Sequence, residues 1–267
     1  MKMMLHVFLV ALALLGTANA QQEKASPNTD QTQRSINLTY HHLNDDPETA
    51  RFHAMEALRY AHSENDKLKY ALTLYSFADV YRRLGDLNTA KDSASTALRM
   101  CVELGARKEQ AEGHELLATI YRSEAKHFKY IEELKKAAHI YNEDDKLLEY
   151  ARTQNMMGVG FKNMADFDHA LTHYLEALDI LKKIDDTTEI ARVYTNLGVL
   201  SKNAGNNEKA LEYHRKSLDL YNALSDQKGI GNCFNNMGVV YKNMGNYELA
   251  IDWYREAIDI WKQTNDV

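Results

Sequence analysis

The sequence has little of what an enzyme would need. It contains no Gly-rich phosphate loop, no His-Glu-x-x-His and no Gly-x-Ser-x-Gly, so the common signatures of nucleotide hydrolysis, zinc proteolysis and serine acyl transfer are missing. Positive charge is not in excess: 32 Lys and Arg stand against 38 Asp and Glu, a formal net charge of −6. With no continuous basic stripe either, a nucleic-acid partner is not expected. His169 and His173 share one helix face at i, i+4 spacing, which suits a metal, but no further ligand is evident and a packing or solvated role is expected for both. His41-His42 is a weaker candidate still. The acidic pairs Asp144-Asp145 and Asp185-Asp186 fit turns, where Asp is favoured. The expectation is a protein that is not an enzyme, with no cofactor and no metal site.

What the chain does have is repetition. "NMMGVGFKNMADFDHA" (Asn155 to Ala170) is followed by "TNLGVLSKNAGNNEKA" (Thr195 to Ala210) and "NNMGVVYKNMGNYELA" (Asn235 to Ala250). Gly158, Gly198 and Gly238 are 40 residues apart, and the same step backwards reaches Ala118 and Ala78. Aligned on these anchors, one column reads Ala90, Tyr130, Ala170, Ala210, Ala250 and another Leu98, Ala138, Leu178, Leu218, Ile258. A period in this range indicates stacked repeats. Apolar spacing of three and four inside each unit indicates two amphipathic helices per unit.

The turns are legible too. Gly85, Gly205 and Gly245 sit where a helix must end in a left-handed residue. Asp86, Asp166, Asn206 and Asn246 fall at the next N-cap, a position that Asp and Asn favour. Stop and start within two residues make an antiparallel pair. The only two cysteines, Cys101 and Cys233, fall in apolar columns. Packed helices lie about 8–10 Å apart and a disulfide needs Cα atoms within roughly 7 Å, so in a regular stack of helices two buried, free thiols are expected.

The frame small–x2–aromatic–x3–Gly–x4–Ala–x3–aromatic–x2–Ala fits best in the last unit, at Gly238, Tyr241, Gly245, Ala250, Tyr254 and Ala257. It resembles the tetratricopeptide repeat (TPR) family. The usual family unit has 34 residues and a closing proline; this unit has 40, and no proline follows Pro47. The resemblance is therefore to the long-helix variety of G-protein-signalling modulators, kinesin light chains and bacterial peptide or signal sensors. It implies an all-α fold, a right-handed superhelical solenoid of antiparallel helix pairs, with about five repeats plus an N-terminal half-repeat across residues 46–267. The second unit departs most, with Lys126 in place of the cap and Tyr130 in place of the small residue.

In this family the first helix of each pair lines a concave groove. Carried over residue by residue, the resemblance places Arg152, Asn155, Lys162 and Asn163 of the third unit there. It adds Arg192, Asn196, Lys202 and Asn203 of the fourth, and Asn232, Asn235, Asn236, Lys242 and Asn243 of the fifth. Val159, Val199 and Val239 lie among them. One groove column is basic throughout: Arg82, Arg122, Lys162, Lys202, Lys242. Asparagine both donates and accepts, so a ladder of it suits an extended peptide backbone. The basic column would favour acidic side chains or a terminal carboxylate, although a cation near a helix end also has a purely structural use against the dipole.

The ends complete the reading. Residues 1–20, with Lys2, an apolar run and Ala18-Asn19-Ala20, read as a signal peptide, and residues 21–45 as a polar linker. Asp46 and Pro47 then start the first helix, taken as the half-repeat. At the other end Ile258, Ile260 and Trp261 would be left partly uncovered, where a solenoid normally carries a capping helix. The expectation is an exported, periplasmic, non-enzymatic scaffold, resembling the input region of bacterial sensor kinases and regulators. Its partner would be a protein or peptide segment, an acidic one where the basic column takes part. A membrane would be involved only through an uncleaved signal or a segment downstream. The alternative is an assembly scaffold that docks a partner, or a second copy as a homodimer, through its last repeat.

Overall fold

The computed structural model describes residues 30–264, so the expected signal peptide lies outside the described residues. Among these, all regular structure is helical. In chain order the helices are α1 (Gln31–His42), α2 (Pro47–Ser63), α3 (Lys67–Arg83), α4 (Leu87–Glu103), α5 (Arg107–Ser123), α6 (His127–Glu143), α7 (Leu147–Asn163), α8 (Phe167–Lys183), α9 (Thr187–Asn203), α10 (Asn207–Ala223), α11 (Gln227–Asn243) and α12 (Tyr247–Gln263). Every helix after α1 has 17 residues, and three more residues complete a 20-residue step. None of the described helices is long and apolar enough to cross a membrane.

The middle residue of each three-residue turn from α2 onward is left-handed. Gly85, Gly105, Gly205 and Gly245 were legible or readily accommodated, but Asn65, Ala125, Asp145, Ala165, Asp185 and Ser225 also adopt positive φ, between 54° and 59°. The following residue caps the next helix. Asp86, Asp166, Asn206 and Asn246 each accept the backbone N–H three residues on, as do Asp46, Asp66, Asp186 and Asp226. Lys126 and Lys146 stand at cap positions without a side-chain cap bond.

The chain falls into two compact units divided between Ser123 and Glu124, inside the second 40-residue repeat. In each unit every helix packs antiparallel on the next. The first unit corrects the sequence reading of its N-terminus. Residues 31–42, taken as linker, form α1, capped by Asp30 and packed on α2. Its buried residues are Thr32, Ser35 and Thr39, with Thr32 donating to Glu64 at 2.8 Å. That face is small and polar, so no apolar periodicity announced it. The described residues thus start with a whole hairpin, α1–α2, and the described helices form antiparallel pairs of five to six repeats.

In the second unit the large residues of one hairpin fill the space left by small residues on the next. Tyr174, Leu181, Leu197 and Val193 are fully buried among α7, α8 and α9, each aliphatic burial stabilising by about 1.5–3 kcal/mol. The anomalous Tyr130 is accommodated by Gly160. A Cβ added at Gly160 would lie 2.8 Å from Tyr130 Cε1, and the Tyr130 hydroxyl donates to the Met156 carbonyl at 2.9 Å. The equivalent pairs in the following units are Ala170 with Leu200 and Ala210 with Val240. The large and small partners have exchanged places.

Candidate functional site

The candidate surface lies within the second unit, on the first helices of its three complete hairpins: α7, α9 and α11. These helices also touch one another, α7 with α9 and α9 with α11. Residues four and seven apart on one helix share a face, so the chosen positions form layers along the α7–α9 seam.

The first layer is already occupied. Arg152 donates through Nε to Glu189 Oε1 at 2.8 Å, and Arg192 Nη1 lies 3.2 Å from the same oxygen. Glu189 is buried, whereas the two arginine side chains are 47% and 56% exposed. The carboxylate joins α7 to α9 and holds two guanidiniums side by side. Sequence reading placed both arginines in the groove as ligand contacts and missed Glu189. Its signal was the i, i+3 spacing to Arg192; its bond to Arg152 crosses 37 residues.

The second layer is also closed. Asn196 Nδ2 donates to Asn155 Oδ1 at 2.8 Å, and Asn155 is buried. These amides bond across the seam, leaving less capacity for a peptide backbone than an open ladder would have. The third layer differs. Lys162 and Lys202 are half-buried, and neither has a hydrogen-bond or ion-pair partner among the described residues. Burial, and then the charge of Lys202, pushes the Lys162 ammonium below the usual lysine range. Asn163 and Asn203 end their helices, exposed.

On α11, Asn235 and Asn236 are half-buried and Asn232, Lys242 and Asn243 exposed, again with no side-chain partner among the described residues. The structure therefore brings together the pairs Arg152/Arg192, Asn155/Asn196 and Lys162/Lys202, and adds a free row on α11. Behind this face His214 is buried, and the space a Cβ at Gly198 would need is filled by its ring, 2.4 Å from Cε1. Its Nδ1 is buried without a partner. Burial, with the Lys202 charge second, pushes its imidazole down to about 4.

The histidine pair is used for packing. His169 and His173 both stack on Phe161 with ring centroids 5.1 Å away. His169 bonds Asp166, and His173 Nδ1 lies 2.6 Å from Gln154 Oε1. No group of three His, Cys, Asp or Glu among the described residues could hold a metal ion. Cys101 and Cys233 are both free and buried.

With this geometry in place, similarity to known proteins can be weighed. A tetratricopeptide repeat family model matches residues 189–263. The fold is that of a tetratricopeptide-like repeat protein. Among solved structures, BtubC (BKLC) from P. vanneervenii is similar with a TM-score of 0.65 and 23% identity, over 88% of this chain and 93% of that one. The Rap conjugation gene regulator of plasmid pLS20, in complex with the Phr* peptide, is similar with a TM-score of 0.63 and 18% identity, over 88% and 76%. A signal-transduction ATPase with a tetratricopeptide repeat sensor, from Pyrococcus horikoshii, has a TM-score of 0.72 and 16% identity, over 88% of this chain and 36% of that one. No curated protein matches the sequence. These likenesses correct one expectation. Among the structures that share the fold, the Rap regulators and the signal-transduction ATPase are not periplasmic or exported proteins, so the exported, periplasmic assignment and the link to the periplasmic part of sensor kinases are withdrawn.

Proposed function

We propose that the chain is a non-enzymatic scaffold that binds an extended peptide or protein segment along the α7–α9–α11 face, in a sensory or input role. The observation that carries this reading is the set of half-buried polar side chains there with no partner among the described residues: Lys162 and Lys202 on the seam, Asn235 and Asn236 on α11. Donors and acceptors that no protein group engages are open to a ligand, and a segment laid across the three helices would meet these. Support comes from the Rap regulator of similar fold solved with a peptide. The test is selection of binding segments from a random peptide library, followed by calorimetry. Segments that bind the wild type and are lost on Lys202→Glu plus Lys242→Glu support the reading; binding that survives both changes refutes it.

A second reading, docking of a partner or a second copy through α12, is favoured by its stripe of exposed apolar residues. Tyr247, Ile251 and Ile258 follow helical spacing and are 65%, 49% and 42% exposed. Light scattering decides the self-docking form: a monomer at high concentration removes it.

A further inference from the structure

The basic sequence column is treated differently in the two units. In α3 the residue is Arg82, and its guanidinium is paired within the helix: Nε and Nη2 lie 3.0 and 2.6 Å from Oδ1 of Asp79, whose Oδ2 accepts from Arg83 Nε at 2.8 Å. Asp79 stands three residues before Arg82. The same place before Lys162, Lys202 and Lys242 is held by Val159, Val199 and Val239. The internal counter-charge has been replaced by a branched apolar side chain, which offers the ammonium no anion. Lys162 and Lys202 sit on adjacent helices that are already fastened by the Asn155–Asn196 bond, so two like charges are held on one seam. Partial burial of the side chain first, and then the charge of Lys202, holds the Lys162 ammonium below the usual lysine range. Like charges held on one seam disfavour each other, and an anion between them relieves the repulsion.

From this, and resting on the groove reading above, we infer that the Lys162–Lys202 seam, extended by Lys242, is a carboxylate site for a segment with acidic residues spaced i, i+3, i+6. The spacing follows from helix packing. Adjacent packed helices lie about 8–10 Å apart. In a polyproline II segment, with three residues per turn and about 3.1 Å per residue, every third side chain faces the same way about 9 Å further on. A β-strand alternates its side chains, so residues three apart point to opposite faces. Acids at every third position of a polyproline II segment therefore meet successive lysines, while the turn between them rests on the valines.

The experiment is fluorescence anisotropy of the full chain with labelled acetyl-(Asp-Pro-Pro)3-amide. Its probes for comparison are the isomer with three adjacent Asp followed by six Pro, and the neutral acetyl-(Asn-Pro-Pro)3-amide. The i, i+3 peptide is expected to bind about tenfold or more tighter than either, a gain of one charge-assisted hydrogen bond or better. Val159→Asp plus Val199→Asp, which restores the α3 arrangement without removing a lysine, is expected to lower its affinity about tenfold, as is Lys162→Gln plus Lys202→Gln. Equal binding of the clustered or neutral peptide, no binding of the i, i+3 peptide, or indifference to the Val→Asp pair overturns the inference. Library-selected segments that bind this face without acids at that spacing overturn it while leaving the groove reading intact. Failure to select any segment for the face removes both.

Discussion

The imidazole of His214 makes an acid-sensitive joint between α9 and α10. Its ring is packed against the α9 backbone at Gly198, its Nδ1 has no partner, and the ammonium of Lys202 is near. A proton there would create a buried cation with a donor facing nothing. Its folded pKa of about 4 lies below the ordinary value near 6.5, so as pH falls the unfolded chain takes up the proton first. Stability from neutral His214 is fully present above about pH 6.5 and is lost progressively as pH falls from there towards 4. The difference gives a loss of about 2 kcal/mol between pH 7 and pH 5. His214→Tyr is the informative change, because Tyr174 and Tyr254 occupy the equivalent place against Gly158 and Gly238 and Tyr does not titrate in this range. Both tryptophans, Trp253 and Trp261, lie in the second unit, so their fluorescence during urea unfolding follows the relevant part of the chain. The wild type should lose about 2 kcal/mol more than His214→Tyr between pH 7 and pH 5. Equal losses would refute the account, whatever the variant's stability at pH 7.

Two further outcomes rest on other layers of the same unit. Glu189→Gln removes the charge that holds Arg152 and Arg192 together; because both arginines keep about half of their side chain in water, the loss should be about 1–2 kcal/mol rather than that of a fully buried pair, read by the same urea titration. Ala165→Gly relieves a left-handed alanine at φ 59° in an exposed turn. Relief of the αL clash, less the added freedom of the unfolded chain, should stabilise by about 0.5–1 kcal/mol, seen as a higher urea midpoint.

The fold was legible because its packing rules repeat every 40 residues: small anchors, capping Asp or Asn and paired apolar stripes state the hairpin several times over. What escaped has physical reasons. Helix α1 buries Thr32, Ser35 and Thr39, so its inner face carries no apolar signal. Ala125, Ala165 and Ser225 have no turn signature of their own, yet each is left-handed. Tyr130 read as a distortion until Gly160, 30 residues on, showed the compensating space.

For the candidate site the sequence offered a list of positions without their couplings. A groove position tells which way a side chain points; whether it is available depends on its neighbour across the seam, and that neighbour comes from another repeat. Arg152 is held by a glutamate 37 residues away and Asn155 by an asparagine 41 residues away, distances at which no local pattern couples two residues. The same logic explains why the lysines stand out only beside Arg82. All are cations at one register, and the sequence column is uniform. The Asp79 bond shows that the repeat can satisfy that cation internally, so the valines at 159, 199 and 239 leave open a charge that the fold has the means to close. That contrast, rather than the abundance of basic residues, directs the search for a ligand to Lys162 and Lys202.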